Sequence, residues 1–109
     1  MLEYLIRLVK KYDKNADVDI IIKAYEIASE KHEGQLRRSG EKYIIHPIEV
    51  AIILANLEMD VATIAAAIMH DVVEDTDTSL EQMRTMFGDE IADLVDGVTK
   101  LGKLEYKTK

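Results

Sequence analysis

Apolar residues recur at i, i+3, i+4 and i+7 in Ile21, Ala24, Tyr25 and Ala28, in Ile48, Ala51, Ile52 and Ala55, and in Ile91, Leu94, Val95 and Val98. That spacing is one face of a 3.6-residue helix, and no other regular period is present, so the chain is expected to be all-α. Punctuation agrees. Gly34 can stop a second helix, Pro47 can sit in the first turn of a third, and Asp60 can cap a fourth. Ser79 with Gln82 makes a capping-box pattern for a fifth helix, Gly88 closes it, Asp89 can cap a sixth and Gly102 can end that one. The expected fold is a compact bundle of about six helices, at 2–12, 18–33, 47–58, 61–75, 79–87 and 90–101. A second stripe in the third helix, Val50, Ile53, Leu54 and Leu57, makes it apolar on two sides and predicts a central position.

A chain of 109 residues is one small domain with a thin core. It has no cysteine, which excludes disulfides and thiolate zinc sites and fits a reducing compartment. No apolar run approaches the roughly 20 residues of a membrane span, and the N-terminal MLEYLIRLVKKYDKN lacks a signal-peptide layout. A soluble, cytoplasmic protein with no membrane partner is expected. The net charge of −7 is unevenly placed, with nine basic and nine acidic residues in 1–50 but two basic and eleven acidic in 51–100. Such a half-chain is either a solvated acidic surface or a carboxylate-rich cation site. Binding to duplex nucleic acid is not expected, because no basic stripe is present.

The string His70, Asp71, Val72, Val73, Glu74, Asp75 ends the fourth helix. Helical spacing puts His70 and Glu74 one turn apart on one face, with Asp71 and Asp75 as the neighbouring pair. Three carboxylates beside an imidazole repel one another, and a bound cation offsets that repulsion. Nitrogen and oxygen donors without sulfur suit manganese, iron or magnesium better than structural zinc. A hydrogen-bonded core histidine on a solvated acidic helix end is the plainer alternative. His46, just before Pro47, is the obvious second imidazole if the third and fourth helices pack as antiparallel neighbours. His32, at the end of the second helix, is expected to interact with unpaired helix-end carbonyls. The longest connection, 34–46, holds Arg37, Arg38 and Ser39, groups that can grip a phosphate by forked hydrogen bonds. A metal-assisted phosphate-ester substrate follows.

The order HEGQ, RRSGEKYIIHP, IAAAIMHDVVEDT, FGDEIADLVDGVTKL, covering about Asp17 to Leu104, resembles the N-terminal hydrolase domain of the long Rel/SpoT enzymes. Those enzymes make and degrade the alarmones ppGpp and pppGpp. The HD dipeptide alone marks only the broad HD phosphohydrolase superfamily, whereas RSGxxYxxHP, HDxxED and GVTK together at these spacings are specific. The resemblance implies that His46, His70 and Asp71 are metal ligands, usually for manganese. It implies that Glu74 and Asp75 are the catalytic acidic pair that positions and activates water. Arg37, Arg38 and Ser39 match the loop that holds the guanine nucleotide. The implied reaction removes pyrophosphate from the ribose 3′ oxygen, giving GDP or GTP.

In the family a further Asp ligand, with an Asn and a Thr that contact nucleotide, lies several tens of residues beyond GVTKL. The resemblance therefore implies that the C-terminal helices of the full domain are missing and that activity is impaired. Asp89, Asp93 and Asp96 are better read as cap and surface residues than as a replacement ligand. Faces uncovered in this way would favour self-association or a loose end after Gly102. A different HD-type nucleotide phosphohydrolase, or a non-catalytic nucleotide- or partner-binding domain, remains the alternative.

Overall fold

In the computed structural model, which describes residues 1–108 and side chains as far as Lys100, the punctuation residues set the helix ends. Six helices follow one another: α1 (Leu2–Tyr12), α2 (Val18–Lys31), α3 (Ile45–Asn56), α4 (Val61–Asp75), α5 (Leu80–Phe87) and α6 (Asp89–Thr108). Asp60 caps α4, its carboxylate accepting from the Thr63 N–H at 3.3 Å and the Thr63 hydroxyl at 2.6 Å. Ser79 and Gln82 form the reciprocal capping box, with Gln82 N–H on Ser79 Oγ at 3.1 Å and Ser79 N–H on Gln82 Oε1 at 2.8 Å. Gly88, at φ 91°, turns the chain between α5 and α6.

Two ends differ from the spacing argument. α3 begins at Ile45, so Pro47 occupies its third position, where the N–H that proline lacks would have no partner within the helix anyway. α6 includes Asp89 instead of being capped by it, and its backbone runs through Gly102 to Thr108. Glycine ends a helix only where the chain leaves it in a left-handed turn. Arg84 on α5 instead uses Asp89 and Asp93, with both guanidinium contacts at 2.9 Å.

The helix at the centre is α4, not α3. α4 packs against α2, α3 and α6, and Ile64, Ala65, Ala66, Ala67, Ile68 and Met69 are buried consecutively, all the way round the helix. Alanines at 65, 66 and 67 present almost no side-chain bulk, so three neighbours can approach close together. On α3 the fully covered residues are Pro47, Ile48, Ala51 and Ala55. Its second stripe is divided, with Leu54 packed partly against the core and Val50 half-buried, while Ile53 is 60% and Leu57 66% exposed.

The shell is tied at several points. α1 buries Leu5 and Val9, and the Tyr12 hydroxyl donates to the Met59 carbonyl at 2.6 Å, fastening α1 to the α3–α4 turn. Lys23 of α2 donates to the Met86 carbonyl at 2.5 Å and lies 5.0 Å above the Phe87 ring, a cation at the C-terminal end of α5.

Asp60 gives a test of the capping argument. The Thr63 hydrogen bond holds its carboxyl below the ordinary value, against a smaller opposing effect of burial. Its contribution is therefore present above the unfolded-state pKa and is lost as pH falls through the folded one. Asp60→Ala should cost about 1 kcal/mol at neutral pH. Asp60→Asn should keep most of the cap while flattening the loss in acid. Urea unfolding at neutral pH, and again below the carboxylate range, measures both.

Candidate functional site

The C-terminal half of α4 leaves the core with its polar residues in sequence, and two other segments meet it there: the α2–α3 hairpin and the first turn of α3. The hairpin is built by its own backbone. Leu36 and Lys42 pair as an antiparallel bridge, Arg37 N–H donates to the Glu41 carbonyl at 2.9 Å and Gly40 N–H to the Arg37 carbonyl at 2.8 Å. Gly40 takes φ 90°, which a residue with a Cβ adopts rarely.

His70 is held by the helix that carries it. Its Nδ1–H donates to the Ala67 carbonyl at 2.6 Å, and because a carbonyl only accepts, this fixes the tautomer. Nε2 then faces Asp71 Oδ1 at 3.1 Å. In a neutral ring that is a lone pair against a carboxylate oxygen, two acceptors in contact. Such a contact needs a cation, either a proton on Nε2 or a metal ion. Two donors held about 2.1 Å from one ion and at right angles stand about 3 Å apart, so the pair fits a divalent ion with nitrogen and oxygen ligands. The charges respond accordingly. The Asp71 hydrogen bond raises the His70 pKa, against burial, with help from the Ala67 carbonyl. Burial pulls Asp71 up, but the His70 and Tyr43 hydrogen bonds and the nearby imidazoles outweigh it and its pKa is lowered.

His46 lies in the first turn of α3 with its ring inclined to that of His70, centroids 6.4 Å apart and planes at 65°. The expected three-ligand set is thus a contact pair with a third donor nearby. Among the described residues no three His, Cys, Asp or Glu side chains are gathered into one group able to hold a metal. Beside the histidines, α3, α4 and α6 leave an apolar-walled groove of about 310 Å³, lined by residues including Val50, Leu54, Ala66 and Val98.

Asp75 is exposed but fixed, because the Tyr43 hydroxyl donates to its Oδ2 at 2.7 Å and reaches Asp71 Oδ2 at 3.2 Å. Burial, then the Asp75 hydrogen bond and the Asp71 charge, hold the phenol well above its ordinary pKa, so it stays protonated. Glu74 is exposed on the adjoining face. Arg37, Arg38 and Ser39 are exposed at the hairpin. Ser39 Oγ meets Glu41 Oε1 at 3.3 Å, and among the described residues neither guanidinium forms an ion pair.

Sequence spacing supplied no role for Tyr43, although the motif includes it; the tight hairpin three residues before His46 was the available signal. His32 is structural as expected, but by another route. It is 3% exposed, its Nδ1 bonds the Gln35 side chain at 3.2 Å instead of a helix-end carbonyl, and its ring stacks on Tyr43.

Comparison with known proteins covers most of the chain. A family model described as an HD domain matches residues 24–109. The chain is 50% identical over 107 residues, 98% of its length, to a guanosine-3′,5′-bis(diphosphate) 3′-pyrophosphohydrolase of Aquifex aeolicus. It is 43% identical over its full length to the bifunctional (p)ppGpp synthase/hydrolase SpoT of Escherichia coli, and 47% identical over 97% of its length to a GTP pyrophosphokinase of Streptomyces coelicolor. It spans 15%, 16% and 13% of those relatives, respectively.

The His70 and Asp71 contact has a metal-free signature. With its folded pKa raised, His70 contributes stability that is complete below the ordinary histidine pKa and is lost as pH rises through the raised one. Asp71→Asn should return the His70 pKa toward its ordinary value, as followed by NMR titration of the ring in chelator-treated protein.

Proposed function

The chain belongs to the HD domain family, and on that premise we propose that it is a metal-dependent phosphohydrolase unit acting on ppGpp and pppGpp. The observation that carries the reading is the His70 and Asp71 contact, whose fixed tautomer turns a lone pair and a carboxylate toward one point. Relatives are named for both hydrolysis and synthesis, so names alone do not choose. An imidazole and carboxylate pair with two further carboxylates alongside is equipment for moving water and protons, which favours hydrolysis.

His70 and Asp71, with His46 as the third donor, would hold the divalent ion, and manganese is the ion we propose. Bound there, the ion would lower the pKa of a coordinated water and polarise a phosphoryl oxygen. Glu74 and Asp75 orient the attacking water and accept its proton. The bond to the ribose 3′ oxygen breaks, that oxygen takes up a proton, and pyrophosphate leaves. Arg37, Arg38 and Ser39 supply cationic forks and a hydroxyl for the phosphates, and the apolar groove takes a face of the base. The reading includes a cytoplasmic setting. Among the described residues no helix is long and apolar enough to cross a membrane. The exposed Ile53 and Leu57 at the end of α3 support self-association, and sedimentation that shifts to larger species with rising concentration would bear it out.

Pyrophosphate release from ppGpp with manganese tests the reading directly. His70→Ala should abolish release, and Asp75→Asn or Glu74→Ala should slow it about 100-fold. Faster turnover of nucleotides lacking a 3′ pyrophosphate would select a different HD-type phosphohydrolase. A second reading, nucleotide binding without turnover, is favoured by the lack of three gathered metal donors among the described residues. Binding of ppGpp that Glu74→Ala leaves intact, with no release, selects that one.

A further inference from the structure

Tyr43 has no part in the reaction as described, yet it joins the two carboxylates on which that reaction depends. Asp71 and Asp75 project from successive turns of α4 and repel each other. The phenol stands against both, 2.7 Å from Asp75 Oδ2 and 3.2 Å from Asp71 Oδ2. It has one proton to give, shared unequally with Asp75 as the closer acceptor. A neutral donor placed there sets the spacing of two anions without adding charge. It also engages Oδ2 of Asp71 and so leaves Oδ1 as the oxygen that faces His70.

What fixes the phenol lies behind it. The buried His32 ring stacks on Tyr43 with centroids 4.5 Å apart and planes at 23°. Gln35 ties the two together, its side-chain oxygen accepting from His32 Nδ1 at 3.2 Å and its backbone carbonyl accepting from the Tyr43 N–H at 3.2 Å. His32 Nε2 is buried without a partner, a cost that phenylalanine would not carry. Its contribution is therefore the flat ring more than the second nitrogen.

We propose that Tyr43 is a positioning residue of the site, its hydroxyl setting the Asp71 and Asp75 carboxylates, and that His32 acts through Tyr43 by holding the phenol in place. The inference rests on the metal-site reading above. Groups that orient metal ligands typically change affinity by about 10- to 100-fold when removed.

Calorimetric titration of the full chain with manganese alone tests it. Tyr43→Phe, which keeps the ring and the stack, should weaken binding about tenfold with an unchanged melting temperature. His32→Leu, which removes the stack, should weaken it comparably, and His32→Phe should recover most of that loss. The His32→Leu and Tyr43→Phe double variant should bind no worse than Tyr43→Phe alone, because His32 works through the hydroxyl already removed. Unchanged affinity in Tyr43→Phe overturns the inference while leaving the metal reading in place. Losses that simply add in the double variant also overturn it, by making His32 an independent support of the fold. If the unmutated chain fails to bind manganese, the metal reading falls and this inference falls with it.

Discussion

α4 has helices on three sides, and what permits this is the near-absence of side-chain bulk at Ala65, Ala66 and Ala67. A helix buried all round must be narrow, or its neighbours cannot close over it without voids. The neighbours then hold α4 in register with α2, α3 and α6, and everything polar at its far end inherits that placement. Around that narrow axis the core is filled by larger side chains such as Leu5, Ile21, Ile48 and Met83, all fully buried.

The same helix breaks a local rule where it emerges. Carboxylates at a helix C-terminus meet the negative end of the helix dipole, and cations are the stabilising choice there. α4 instead ends in Asp71, Glu74 and Asp75 with no basic residue in its last turn. The conflict is eased by three neutral or cationic partners: the His70 ring, the Tyr43 hydroxyl and, in the proposed function, a divalent ion. Local unfavourability concentrated at one end of an otherwise well-satisfied helix is the mark of a site kept for chemistry.

The helices were legible in the sequence because their periodicity and caps are local, and Asp60, Ser79 and Gln82 act as their types require. The centre of the bundle is not legible in the same way. Hydrophobicity tells which faces seek cover, so two-striped α3 looked central; side-chain size decides which helix can be surrounded, and that was α4. Gly102 misled for a related reason, because glycine permits a turn without demanding one. Along the site, spacing groups His70, Asp71, Glu74 and Asp75 because they share one helix, and the approach of His46 follows from the packing of α3 beside α4. The Tyr43 contact could not be read, because it depends on a hairpin register and on how that hairpin docks against α4. Nor did spacing show that the two imidazoles meet edge to face.

A helix that is both the narrowest part of the core and the bearer of the reactive end has little freedom to drift. A methyl group added at Ala65, fully buried and away from the groove, would have to displace a neighbouring helix, and a shift of α3, which carries His46 and follows directly on Tyr43, would reach the carboxylates without any reactive residue having changed. The hairpin tip, closed by its own backbone bonds and standing clear of the core, bears no such double duty. Differences in substrate preference between close relatives of this chain are accordingly easier to acquire at the Arg37 end of the site than at the His70 end.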